Sequence, residues 1–236
     1  MSMSNIYEQT GVAMTCRGFD EYIRMFDLKP ADLEGGETAD IAAGGSSFAA
    51  EAFLRGQHVT AIDPRYAQAA ELWVEESSQE IETSTAKLAA IADIFDWTYY
   101  GNIERHHLGR ADSLAKFAAD VVRPDRKGSY VAGALPSLPV EDGRFRLVLC
   151  SHFLFLYARQ FGYKFHRDAL LELLRICKPG GQVRIYPLSS LHWEPYARMD
   201  DLLTELKAAG AETGFFTSRL PFIPGSTEGL LISRPL

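Results

Sequence analysis

The turn Ala42-Ala43-Gly44-Gly45-Ser46-Ser47 and the acid Asp63 are the residues whose type and spacing point most directly to chemistry. Small residues let a ligand approach the backbone closely, and the start of a following helix offers N–H groups that no helical carbonyl accepts. A carboxylate about twenty residues further on, at the end of the next strand, can accept both hydroxyls of a ribose. The pair is expected to hold a nucleotide-type ligand; the competing reading is a tight turn followed by an aspartate before Pro64. A second group lies in Ser151-His152-Phe153-Leu154-Phe155-Leu156-Tyr157. Histidine titrates near neutrality, so His152 is the leading candidate for a general base, with Tyr157 and His166 behind it. The competing role for each is a hydrogen bond to the backbone. His106 and His107 are adjacent, and adjacent helical residues do not share a face, so no metal site is expected from them.

These residues need elements to position them. Phe19, Tyr22, Ile23 and Phe26 recur at helical spacing and predict a helix at about 18–27, ended by Lys29-Pro30. A short strand is expected at 38–42, a helix at 48–55 stopped by Gly56, and a strand at 58–62 ending at Asp63-Pro64. No strand is evident over 65–128. Leu88, Ile91 and Phe95 suggest one helix there, and Leu114, Phe117, Ala118 and Val121 another. That length exceeds an ordinary crossover and reads as a helical insertion, either a cap over the site or a cover for the sheet. Alternation then resumes, with strands at 129–133, 145–150 and 182–186, helices at 168–177 and 199–209, and a terminal pair of strands at 212–217 and 229–233. Strands separated by helices argue for a parallel α/β sheet, and the terminal hairpin for an antiparallel strand near its edge.

With 236 residues, 47% of them hydrophobic, the chain suits one compact domain (1–236), with 1–37 as an N-terminal helical segment and 65–128 as the insertion. The net charge of −7 and the lack of a basic stripe argue against a protein that grips nucleic-acid phosphates. Cys16, Cys150 and Cys177 are scattered and suggest neither a disulfide framework nor a zinc site. Residues 1–10 are polar, without the apolar run of a signal peptide, and no stretch approaches a membrane span, so a cytoplasmic location is expected.

Four segments taken in order carry a family likeness. They are Asp40-Ile41-Ala42-Ala43-Gly44-Gly45-Ser46-Ser47-Phe48; Thr60-Ala61-Ile62-Asp63-Pro64; Val131-Ala132-Gly133-Ala134-Leu135 through Ser151-His152; and Leu174-Arg175-Ile176-Cys177-Lys178-Pro179-Gly180-Gly181-Gln182-Val183. This series resembles the class I S-adenosylmethionine-dependent methyltransferases over residues 38–233, apart from the insertion. The resemblance implies a Rossmann-like, doubly wound α/β fold, with a mostly parallel seven-stranded sheet and an antiparallel last strand. It implies S-adenosyl-L-methionine as cofactor and a small molecule or protein side chain as methyl acceptor. It places Ala42, Gly44 and Ser46 around the methionine part, Asp63 at the ribose, Ala134 and Leu135 beside the adenine, and Ser151 and His152 near the sulfonium, with Asp40, Ser47 and Pro64 as further cofactor-binding residues.

Ala42 and Ser46 replace the outer glycines of the family's turn, and Ser46 brings a hydroxyl that would contact the methionine carboxylate. Ala134 stands where the family often has an acid for the adenine amino group. Tyr186-Pro187, Cys16-Arg17-Gly18, Tyr22 and Met25 are expected as further pocket wall or as packing, and Trp97-Thr98-Tyr99-Tyr100 as a planar-substrate surface or as packing. Two other readings compete with methyl transfer: a non-catalytic S-adenosylmethionine-binding protein, and a nicotinamide-dependent oxidoreductase on a similar sheet.

Overall fold

The structure, a computed structural model, describes residue 9 and residues 11–236. The polar stretch 1–10 therefore lies outside the described residues, apart from Gln9. Seven strands form one sheet: β1 (Thr38–Ile41), β2 (Val59–Ile62), β3 (Tyr130–Val131), β4 (Phe145–Ser151), β5 (Cys177–Tyr186), β6 (Glu212–Thr217) and β7 (Glu228–Ser233), in the spatial order β3-β2-β1-β4-β5-β7-β6. β3, β2, β1, β4 and β5 run parallel, and β7 is antiparallel to both β5 and β6. The strand order reverses between β1 and β4, which places a crevice beyond their carboxyl ends.

The helices are α1 (Phe19–Met25), α2 (Phe48–Phe53), α3 (Ala70–Ala90), α4 (Ile103–Val121), α5 (Tyr163–Ile176) and α6 (Met199–Ala208). β1 is buried along its whole length, as expected of a central parallel strand covered on both faces. Along β4 the side chains alternate. Val148 and Cys150 join a core with Leu170 and Leu173 of α5 and Leu202 and Leu206 of α6. Leu147 and Leu149 join the opposite core with Tyr22, Met25 and Phe48 of α1 and α2.

Between β2 and β3 the described chain contains no strand, and α3 packs against α4. Leu88 lies in α3, whereas Ile91 ends it and Phe95 follows a 3-10 turn; all three still pack into the core beneath α1 and α2. Trp73 and Ile81 of α3 meet Leu114 and Phe117 of α4, together with Met14 and Cys16 from the segment ahead of α1.

Two elements, α5 and β5, begin well ahead of the sequence expectation, and β3 is shorter than expected, at Tyr130–Val131. α5 begins at Tyr163 rather than near 168, because Phe165, His166 and Ala169 extend its inward face back to Gly162. β5 begins at Cys177, which pairs with Phe145; the register then shifts, so that Lys178-Pro179-Gly180-Gly181 bulges out before Gln182 pairs with Leu147. Gly181 is required there, since a Cβ would sit 2.7 Å from the Arg146 carbonyl oxygen.

Candidate active site

Ala42 follows β1 in the left-handed region (φ +56°), and so does Gly44 (φ +57°). This bend turns the Gly44 N–H toward Asp63 at the end of β2, and Asp63 Oδ2 accepts it at 3.1 Å. Oδ1 accepts the Arg65 N–H at 2.9 Å. Burial raises the Asp63 pKa, and these two backbone bonds work against the rise. Each oxygen keeps a lone pair for a further donor. Asp63 faces a cavity of about 270 Å³ together with Ala42, Pro64, Ala134 and Leu135. Phe153, Phe161 and Phe165 form its aromatic wall, with the last two rings stacked at 4.2 Å. Five of the expected cofactor residues thus converge on one crevice.

The rest of the turn behaves differently. Ser46 Oγ donates to the Arg17 carbonyl at 2.8 Å and accepts from the Phe48 N–H. The Ser47 N–H is shared between that carbonyl and Ser113 Oγ. Ser46 and Ser47 are buried, and the expected contact of the Ser46 hydroxyl with a methionine carboxylate is replaced by this internal knot. Asp40 lies beneath the turn rather than in the cavity. The Tyr22 hydroxyl reaches both of its oxygens at 3.0 Å, and burial raises its pKa to about 8. Tyr22 and Met25 are packing residues of the core.

Residues 12–17 form a strap across the glycine turn. A Cβ on Gly44 would lie 3.1 Å from the Thr15 carbonyl oxygen, and one on Gly45 would lie 2.8 Å from Cys16 Sγ. The close approach that these glycines permit is therefore taken up by the chain itself. The strap is held by Tyr157, whose hydroxyl oxygen accepts the Ala13 N–H at 2.9 Å, and by Arg65, which donates to the Val12 carbonyl.

His152 follows β4 with φ +49°, and its N–H donates to the Tyr186 carbonyl. Its Nδ1 receives Arg17 Nε at 3.2 Å and lies 2.9 Å from Ser151 Oγ. Arginine only donates, so Nδ1 carries no proton and the neutral ring carries it on Nε2. Burial, Arg17 and Arg110 hold the His152 pKa well below its ordinary value. His152 therefore presents a hydrogen-bond donor, which does not fit the expected general base. Burial pushes Tyr157 up to about 12, so its phenol keeps its proton near neutrality. His166 is fully buried on the other side of the sheet, with Nδ1 facing the Gly162 carbonyl and Nε2 the Leu154 carbonyl, both at 3.1 Å. It is a packing residue and does not reach the crevice. The Tyr186 hydroxyl is engaged with the Leu220 carbonyl and Ser226, and its ring backs His152.

Behind the strap lies a second recess of about 100 Å³, walled by α3, α4 and the loops that carry Trp193 and Phe222. The insertion helices thus border the site as well as covering the sheet. A buried polar hub supports the recess. Arg110 Nη1 donates to both oxygens of Glu21 at 2.7 and 2.9 Å, the Tyr100 hydroxyl donates to Glu21 Oε1 at 2.5 Å, and Arg110 Nη2 lies 3.1 Å from His106 Nε2. Glu21 and Arg110 are absent from the sequence expectations. Their signal was charged residues on the inward faces of helices, with Arg17 and Glu21, and His106 and Arg110, each four apart. Tyr100 and Trp97 pack edge-on to Phe222, so the aromatic run serves packing and the hub. Among the described residues, no group of three or more His, Cys, Asp or Glu is placed to hold a metal, and no helix is long and apolar enough to cross a membrane.

No protein-family model matches the chain. The uncharacterized protein MJ0045 of Methanocaldococcus jannaschii is 30% identical over 219 residues, which cover 92% of this chain and 94% of that protein. Among solved structures, an O-methyltransferase family protein from Burkholderia thailandensis matches with a TM-score of 0.50 at 12% identity, over 92% of this chain and 56% of that one. A TehB-like SAM-dependent methyltransferase from Corynebacterium glutamicum matches with a TM-score of 0.46 at 14% identity, over 92% and 88%. The chain therefore belongs to one family with the M. jannaschii protein, and its sheet order, with the crevice at the β1–β4 switch point and the inserted antiparallel β7, gives it the fold of the class I S-adenosylmethionine-dependent methyltransferases.

Proposed function

We propose that the protein transfers a methyl group from S-adenosylmethionine to a small molecule or a protein side chain. The observation that carries this reading is Asp63, a buried carboxylate fixed by two backbone N–H groups at the mouth of a cavity with apolar and aromatic walls. That arrangement fits an adenosine. The ribose hydroxyls would meet the unused lone pairs of Asp63, and the base would lie beside Leu135 and the Phe161–Phe165 stack. Ala134 offers no acid, so backbone groups and apolar packing would recognise the base.

When bound, S-adenosylmethionine supplies a methyl group on a positively charged sulfur, which an electron-rich atom displaces in line. The protein's task is then alignment, which lowers the entropic barrier. The turn does not offer the Ser46 and Ser47 donors to the methionine end, which leaves the strap, Tyr157 and His152 as its neighbours. His152 and Tyr157 are both held in forms that do not take up a proton near neutrality. The reading therefore favours an acceptor that arrives already ionised or otherwise needs no base. The same two side chains give the non-catalytic binding reading its strongest support. Crystals grown with S-adenosylhomocysteine test the proposal. Density with ribose oxygens within hydrogen-bonding distance of Asp63 supports it, and an empty crevice at saturating ligand opposes it.

A further inference from the structure

The recess behind the strap holds polar atoms with nothing to bond. His106 is 5% exposed, and its Nε2 faces Arg110, a pure donor, so the ring proton sits on Nδ1. That Nδ1 is buried and has no hydrogen-bond partner. Arg17 is 7% exposed; its Nε is used on His152, and its Nη1 forms only a long ion pair with Glu21 at 3.9 Å. Glu80 also lines the recess, and its Oε1 is buried without a partner. Native proteins rarely leave two buried polar atoms unsatisfied around one recess, because each costs about 1–3 kcal/mol.

The charges sharpen the picture. Arg110 and Arg17 share a single carboxylate, Glu21, and Arg110 Nη1 donates to both of its oxygens. With His152 and His106 neutral, two guanidiniums face the one carboxylate of Glu21 at the buried end of the recess, and Glu80 is a second acid on its lining. Burial and Arg110 hold the Arg17 pKa below its usual value, the mark of a guanidinium short of a counter-ion. Most of the remaining wall is apolar, with Leu88, Phe95, Leu156 and Phe222 among its residues, beside Thr15, Ser84 and Tyr157. The void of about 100 Å³ is smaller than the roughly 150 Å³ cavity that admits benzene, so its occupant is compact.

We infer that this recess binds a compact, apolar-bodied carboxylic acid as the methyl acceptor, with its carboxylate on Arg17 and His106 and a hydroxyl or amino group facing Glu80. The inference rests on the methyltransferase reading above. In the transfer a carboxylate oxygen of the acid attacks the methyl carbon, the O–CH3 bond of a methyl ester forms as the S–CH3 bond breaks, S-adenosylhomocysteine leaves with the electron pair, and no proton has to move.

The test is calorimetric, on the full chain saturated with S-adenosylhomocysteine, using isobutyrate, 2-hydroxyisobutyrate and isobutyramide as probes. Both acids are expected to bind, the hydroxy acid more tightly, and the neutral amide about tenfold more weakly or worse, as befits loss of a charge-assisted pair. Arg17→Met should abolish acid binding. His106→Phe, which keeps the ring stacked on Phe222, should weaken it while leaving S-adenosylhomocysteine affinity unchanged. Absence of acid binding to the loaded protein overturns the inference and leaves the methyltransferase reading standing. Acids that compete with S-adenosylhomocysteine, together with a loss of its affinity in Arg17→Met, overturn it by assigning the recess to the cofactor's own carboxylate. Failure of S-adenosylhomocysteine to bind at all removes the underlying reading, and acid binding to the unloaded protein would then show a carboxylate site without that role.

Discussion

Arg17 Nε donates to His152 Nδ1 at 3.2 Å, and this one bond fixes the tautomer of a histidine that lines the recess behind the strap. The ring is buried and faces two guanidiniums, so it stays neutral far below the ordinary histidine range. Its side-chain NMR signals should therefore not shift between pH 5.5 and 8, a window that brackets the usual histidine value of about 6.5. A His152 titration inside that window would refute the assignment.

Gly44 is the residue on which the strap rests. Replacing it with alanine adds a Cβ at φ +57° and 3.1 Å from the Thr15 carbonyl oxygen. The backbone penalty alone is about 1–2 kcal/mol. Gly44→Ala should lower the melting temperature and speed amide exchange over residues 12–17 more than elsewhere. Unchanged exchange in that segment would mean that the strap does not depend on this contact.

Arg110 and Glu21 are a buried pair, and removing one partner strands the other. Arg110→Met should cost about 3–5 kcal/mol of stability. In the native protein Arg110 and Arg17 hold the Glu21 pKa below its ordinary value against the effect of burial. Its contribution is thus present above the unfolded pKa and lost as pH falls through the folded one. Without Arg110, burial prevails and the sign reverses, so the variant should lose more stability at pH 8 than at pH 5. Denaturant unfolding at both values decides the matter; a loss independent of pH would argue against a buried Glu21 charge.

Asp40 supplies a contrasting pH dependence. Burial raises its pKa to about 8, while the Tyr22 hydroxyl opposes the rise. With the unfolded value near 3.9, the folded state holds the extra proton between those limits. Stability from this group is complete below the unfolded pKa and is lost as pH rises through about 8. Asp40→Asn, which stays neutral, should gain stability relative to the wild type as pH rises from 5 to 9. Parallel stability curves for the two proteins would show that Asp40 ionises normally.

Much of this architecture was legible in the sequence. The β1–turn–α2–β2 unit and Asp63 follow from strand, small-residue and helix patterns that operate locally. The lower boundary of α5 was missed because Phe165 and His166 read as loop until the core they face is known. His166 and His152 show the limit for the site: both follow the same propensities, yet one is closed off by two carbonyls and the other is set by Arg17, some 135 residues away in the chain. The Glu21–Arg110 hub joins residues 89 apart and has no local signature beyond charge on an inward helix face. Local pattern thus located the crevice, while the protonation states within it depend on long-range contacts.

Whether the Asp63 crevice holds S-adenosylmethionine is decided by isothermal titration of S-adenosylhomocysteine into the wild type and Asp63→Ala. Micromolar binding is predicted for the wild type. Loss of hydrogen bonds to a charged group, at about 1.5–3 kcal/mol each, predicts a drop of about tenfold or more in the variant. Absence of binding to the folded wild-type protein, or equal affinity in the two proteins, would show that Asp63 does not hold the cofactor.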